Sequence, residues 1–105
     1  MTIYLMVMTN FPDKKLAQKI CKLVVKKSLA CCCQIIGPIE SHYIWENRAE
    51  VSKEYLCLIK TTAKQYKKIE KIIKDNHPYQ VPEILAVNIK KGHKQYLDWL
   101  NKPVK

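Results

Sequence analysis

The stretch ACCCQII, residues 30–36, carries three consecutive cysteines, and their chemistry stands out first. Thiolates are soft ligands that select copper(I) and related ions. On a strand, successive side chains point to opposite faces, so Cys31 and Cys33 share one face and Cys32 takes the other. The three then cannot form one chelate. Residues two apart lie about 6–7 Å from each other with parallel Cβ directions, a poor arrangement for a disulfide. A Cys31/Cys33 pair facing solvent or a partner subunit can hold a soft ion. Equally, free cysteine is a common small buried hydrophobe, and Cys21 and Cys57, isolated in apolar surroundings, read as core.

The second candidate is His77 in NHPYQVPE, a proline-locked loop that also holds Tyr79 and Glu83. Loops carry function disproportionately, and histidine serves as metal ligand or proton carrier near neutral pH. Acid–base work by Glu83 and His77 is conceivable, but no residue pattern fixes a substrate. His42 reads as a solvent-facing strand residue and His93 as a helix-start residue. The chain has no HExxH, no closely spaced zinc ligand set, no GxSxG and no phosphate-binding glycine loop. It therefore reads as a non-enzyme.

These side chains must be positioned by a chain of 105 residues, the length of a single domain spanning 1–105 with a real core. The formal charge is +10, and all but one of the nineteen basic residues are lysines, Arg48 being the exception. Lysines recurring along helical faces read as a solvated surface, and the near absence of arginine argues against bidentate base or phosphate readout. No specific nucleic-acid partner is expected. No run is long enough for a membrane span, and Met1–Thr9 lacks the basic start of a signal peptide. Cysteines without a secreted disulfide framework point to a reducing compartment, the cytoplasm.

Residues 2–9 read as a buried strand, broken by NFPD, with Asp13 capping a helix over 14–28 whose stripe is Leu16, Ile20, Leu23 and Val24. Residues 30–36 read as a short strand ended by Gly37-Pro38. Residues 39–62 form two longer strands around a turn near Glu46-Asn47-Arg48. Thr62 is placed to cap a second helix over 63–76, with Tyr66, Ile69, Ile72 and Ile73 as its stripe. A last strand over 84–89 and a short amphipathic helix over 93–100 close the chain. The order predicts an α+β ferredoxin-like βαββαβ sandwich, two helices on one sheet face, with an extended hairpin and a C-terminal helix. An overhanging hairpin exposes backbone edges that a partner chain must cover.

TNFPDKKLAQKI, SLACCCQIIGPIESHYIWE, LIKTT, NHPYQVPEILAVNI and YLDWL occur in this order from about residue 3 to 101. Together they closely resemble the CutA family of divalent-cation tolerance proteins. The resemblance implies a ferredoxin-like homotrimer of PII-like architecture. It also implies a role in binding copper or other divalent metal ions, with no cofactor required for folding. Inter-subunit clefts are implied at the family's shared positions, here Cys32, Tyr43, Trp45, Lys60, His77, Tyr79, Glu83 and Trp99. Cys32 matches the family's single cysteine, whereas Cys31 and Cys33 are departures. Bacterial members' proposed copper ligands fall here on Thr9, Asn76 and His77, of which only His77 keeps a donor. The metal candidates are thus Cys32 and His77, with Cys31 and Cys33 peculiar to this chain. The alternative implied is a PII-like signalling or scaffold module that binds a small anion or a protein partner in the clefts.

Overall fold

A computed structural model describes residues 1–105. The elements run β1 (Tyr4–Phe11), α1 (Lys14–Lys26), β2 (Cys32–Trp45), β3 (Arg48–Thr62), a 3-10 turn (Ala63–Gln65), α2 (Tyr66–Asn76), β4 (Ile84–Asn88) and α3 (Lys94–Asn101). The sheet is antiparallel with strand order β2-β3-β1-β4. This is the expected ferredoxin-like α+β arrangement.

Alternation along β1 decides the layers. Leu5, Val7, Thr9 and Phe11 point inward and are buried. They meet Ala17, Ile20 and Val24 of α1 and Ile69 and Ile73 of α2, the inward stripes of two amphipathic helices. Asp13 caps α1 as expected, its carboxylate accepting from the Leu16 N–H at 2.8 Å. The hairpin turns at Glu46 and Asn47, both at positive φ (50° and 64°), the backbone of a two-residue turn matched to strand twist.

Four expectations need correction. β1 ends at Phe11 rather than residue 9, because Asn10 and Phe11 still pair with Leu56 and Tyr55 and only Pro12 stops the ladder. α1 ends at Lys26, and Ser28 already has φ 60°. Thr62 makes no side-chain cap bond; the chain enters α2 through the 3-10 turn.

The fourth correction matters most for function. Gly37-Pro38 does not end a strand: the short strand and the first long one are one continuous β2, with the register slipping between Ile36 and Ile39. A bulge tolerates proline because the extra residue donates nothing to the ladder. Gly37 is required by closeness, since a Cβ there would come within 2.5 Å of the Tyr55 ring.

The sheet's other face is open. Met6, Met8, Leu56 and Leu58 are half-buried there, and Ile36, Leu85 and Val87 are exposed. No helix is long and apolar enough to cross a membrane.

Candidate functional site

The residues expected to share a cleft fall into two groups, one at the C-terminal end of β3 and one along its middle and the hairpin tip. Lys60 sits beside Cys32 in the β2–β3 ladder, whereas Trp45 pairs with Arg48 at the hairpin tip. Twelve residues of strand, about 40 Å at the usual rise, separate them. Within one chain Lys60 therefore does not meet Trp45, and Tyr79 and Glu83 stay four to six ladder positions away through their bonds to Glu54 and to Asn10, which faces Leu56.

The first group gathers at the start of β2. Cys31 donates its backbone N–H to the Lys60 carbonyl at 3.0 Å, and Cys31 and Cys32 are free, half-buried thiols. The Lys60 ammonium donates to the Tyr96 hydroxyl at 3.3 Å and lies 5.6 Å from that ring's centre. Tyr96 in turn leans on the half-exposed Trp99 at 5.6 Å. The Cys31 thiol is pushed up to about 12, first by burial and then by neighbouring Cys32, with Lys60 pulling the other way. It holds its proton at neutral pH and yields it only to a strong competitor.

Cys33 belongs elsewhere, which corrects two expectations. Cys31 lies outside the strand's alternation and keeps company with Cys32 instead of Cys33. Cys33 is bonded to Cys21 of α1 across a Cα–Cα distance of 5.2 Å, and the Cys57 sulfur lies 4.0 Å from that of Cys21. Cys57 is core as expected and Cys21 packs against that core, but the two are not isolated, and Cys33 is not a solvent-facing ligand. The helix-to-strand crossover makes this meeting, and no spacing in the sequence announces it.

The second group lines a groove of about 790 Å³ between the hairpin and loop 78–83. Tyr43, Trp45, Tyr79 and Glu83 are all in its wall, joined by Glu54 and Asn10, which no motif in the sequence marks. Glu54 is a buried carboxylate that accepts from the Tyr79 hydroxyl at 2.7 Å. Glu83 accepts from the Asn10 amide at 3.3 Å, and burial followed by the charge of Glu54 raises its pKa. Tyr43 bonds Ser52 at 2.7 Å on the neighbouring strand. Two carboxylates make this groove a place for cations rather than anions.

His77 holds the loop to the sheet. Its Nε2 bonds the Asn10 carbonyl, its Nδ1 accepts from the Tyr79 N–H at 3.1 Å, and its ring stacks on Phe11 at 4.5 Å. An Nδ1 that accepts is unprotonated, so Nε2 carries the proton and donates it. Both nitrogens are then engaged, and neither has a lone pair free for a metal. His77, anchored on Asn10, also lies four ladder positions along the sheet and two strands across from Cys32, about 13 Å and about 10 Å respectively. The structure does not bring these two candidate ligands together.

Burial lowers the His77 pKa, against smaller upward contributions from Asn10 and Glu54. The sign follows directly. Below the ordinary value of 6.5 the unfolded chain binds a proton that folded His77 refuses, so stability falls as pH drops. We predict that the melting temperature declines from pH 6.5 toward the folded pKa. The decline should shrink in His77→Gln, which keeps a donor and an acceptor but does not titrate. Parallel wild-type and variant curves would contradict it. The raised Glu83 contributes with the opposite sign in both proteins, so the difference isolates His77.

Comparison with known proteins agrees with the fold. The family described as CutA1 divalent ion tolerance protein matches residues 5–103. The divalent-cation tolerance protein CutA of Thermus thermophilus is 38% identical over 94 residues, covering 90% of this chain and 91% of that one. A solved Thermus thermophilus structure described as divalent cation tolerance protein (Cut A1) superposes with a TM-score of 0.94 at 35% identity, covering 97% of this chain and 99% of that one. The rice protein CutA 1, chloroplastic, is 34% identical over 96 residues, 91% of this chain but only 54% of the rice protein.

Proposed function

The chain belongs to the CutA1 divalent ion tolerance family, and within it we propose a non-enzymatic metal-binding protein of metal-ion homeostasis that holds copper as Cu(I) at the Cys31–Cys32 pair. The observation that carries this reading is two adjacent free thiols, half-buried beside a fixed ammonium. The donor chemistry fits a soft ion, since sulfur is what this end of the sheet offers. A hard divalent ion would favour the oxygens of Glu54 and Glu83 in the groove. The cytoplasm suits the reading, because a reducing pool keeps both thiols available. The Cys21–Cys33 bond is the feature that fits a more oxidising setting.

The working unit in this reading is a homotrimer. Its support is the open sheet face, where Leu58, Met8, Leu85 and Val87 form an apolar strip across three strands, with Leu85 and Val87 exposed. The edges of β2 and β4 remain available for pairing with a neighbour.

A competitive Cu(I) titration of the fully reduced protein, run beside Cys31→Ser/Cys32→Ser, tests the site. The variant is expected to bind one fewer Cu(I) per chain. Because the metal must displace the Cys31 proton, apparent affinity should rise by up to about tenfold per pH unit for each proton released. Equal stoichiometry in both proteins would sink the reading.

A second reading is a PII-like trimeric module with a ligand cleft between subunits. In its favour, the Lys60–Tyr96–Trp99 group and the groove at the other end each present exposed aromatic surface, and only a neighbouring chain can join them. A metal-independent thermal shift with an anionic metabolite, absent in Lys60→Ala, would favour it.

A further inference from the structure

Three sulfurs converge in the core from three different elements: Cys21 from α1, Cys33 from β2 and Cys57 from β3. All three lie within 4.8 Å of one another, and those of Cys21 and Cys57 are 4.0 Å apart. An ion in trigonal coordination at about 2.3 Å from each sulfur sets the sulfurs about 4 Å apart. The Cys21–Cys57 separation already has this value. Cys33 and Cys57 lie within 4.8 Å, and the Cys21–Cys33 pair must open, by reduction of its bond.

We propose that, when reduced, Cys21, Cys33 and Cys57 form a core site for one Cu(I), which the Cys21–Cys33 disulfide closes. The site is distinct from the Cys31–Cys32 pair and does not depend on it. Sulfur-only donors select a soft ion. The count of three selects further: structural zinc takes four ligands, and the oxygens beside Cys57 are neutral ones, the Ala17 carbonyl at 4.0 Å, which already accepts its thiol, and the buried, unpartnered Thr9 hydroxyl opposite it in the ladder. Copper(I) is satisfied by three sulfurs, whereas zinc would need a fourth donor of the thiolate, imidazole or carboxylate kind, and the buried Thr9 hydroxyl is a neutral, hard oxygen. Cys57 is fully buried, whereas Cys21 and Cys33 are half-buried, so the ion enters from the α1–β2 side.

The chemistry balances. An external dithiol delivers two electrons and two protons to the Cys21–Cys33 bond and itself becomes a disulfide, leaving two thiols. Each copper–thiolate bond then replaces an S–H bond whose proton leaves to solvent, and copper stays Cu(I) throughout. Burial pushes the Cys57 thiol up to about 11, so its proton yields to metal rather than to water at neutral pH. Copper occupancy and the disulfide therefore exclude each other. The redox state of the α1–β2 contact decides whether the core stores metal.

The test uses the full chain in the Cys31→Ser/Cys32→Ser background, which removes the surface thiols. Reduced anaerobically and titrated with Cu(I) against a chelator, it is expected to bind one Cu(I) per chain. X-ray absorption should then show three sulfur neighbours. The same protein oxidised to the disulfide should bind none, and Zn(II) should not compete. Cys57→Ala should lower Cu(I) affinity by at least about tenfold and reduce the sulfur count to two. No uptake by the reduced background protein, or uptake unchanged by oxidation, would overturn the proposal, and that comparison needs no core substitution. Wild-type protein losing one Cu(I) on Cys31→Ser/Cys32→Ser reports on the surface pair alone, so the two sites fail separately.

Discussion

Phe11→Ala is expected to cost about 3–5 kcal/mol, the range for removing a fully buried phenylalanine. That is a large share of the stability of an ordinary domain. Phe11 is the last inward residue of β1, packed in the cluster that joins both helices to the sheet. It is also the surface on which the His77 ring stacks at 4.5 Å. Removing it leaves a cavity in the core and deprives the 77–83 loop of its floor. The loss should therefore appear twice: as a lower denaturant midpoint at fixed protein concentration, and as faster amide exchange at Tyr79, whose N–H bonds His77. A cost under about 1 kcal/mol would mean that the neighbouring helices collapse into the space.

Leu58→Lys is expected to reduce the solution mass to one third of the wild-type value, to the 12.3 kDa of a single chain. Leu58 stands in the middle of the open face, between Met8 on one side and Gln34 on the other. In a trimer closed around these faces, a lysine here would be buried without a partner, and three copies would approach one another. Burying an unpaired charge costs several kcal/mol, and like charges add to it. In a monomer the same lysine reaches water freely and costs little. Sedimentation at micromolar concentration decides. A wild-type chain already at monomer mass would remove the trimer. A variant that stayed trimeric would place the contact on the strand edges.

What could be read without tertiary structure was local. The period of Ile20 and Val24, the period of Ile69 and Ile73, the Asp13 cap and the Glu46-Asn47 turn each depend on residues within a few positions, and all describe elements found in the fold. Strand alternation and connection rules then allow few topologies, which is why the ferredoxin-like order was accessible. Gly37-Pro38 misled for the same reason: its residues carry a local breaking signal, but pairing with Glu54 and Leu56 on either side carries β2 through it as a bulge. The resemblance of the NHPYQVPEI loop and the YLDW ending pointed to the family. It also named groove residues, Tyr43, Trp45, Tyr79 and Glu83, that do line one wall.

The roles of the reactive groups were decided only by packing. Three cysteines at 21, 33 and 57 meet because α1 lies across β2 and β3, a contact between segments far apart in the chain. Alternation along 31–33 predicts faces but fails where the strand has not yet begun, so Cys31 joins Cys32 rather than Cys33. The composition that offers His77 as a ligand cannot reveal that both its nitrogens are already bonded, to Asn10 and Tyr79. The separation of Lys60 from Trp45 follows from the length of one unbroken β3. Secondary structure answers to near neighbours in sequence. The availability of a lone pair, a thiol or a charge answers to what the fold places beside it.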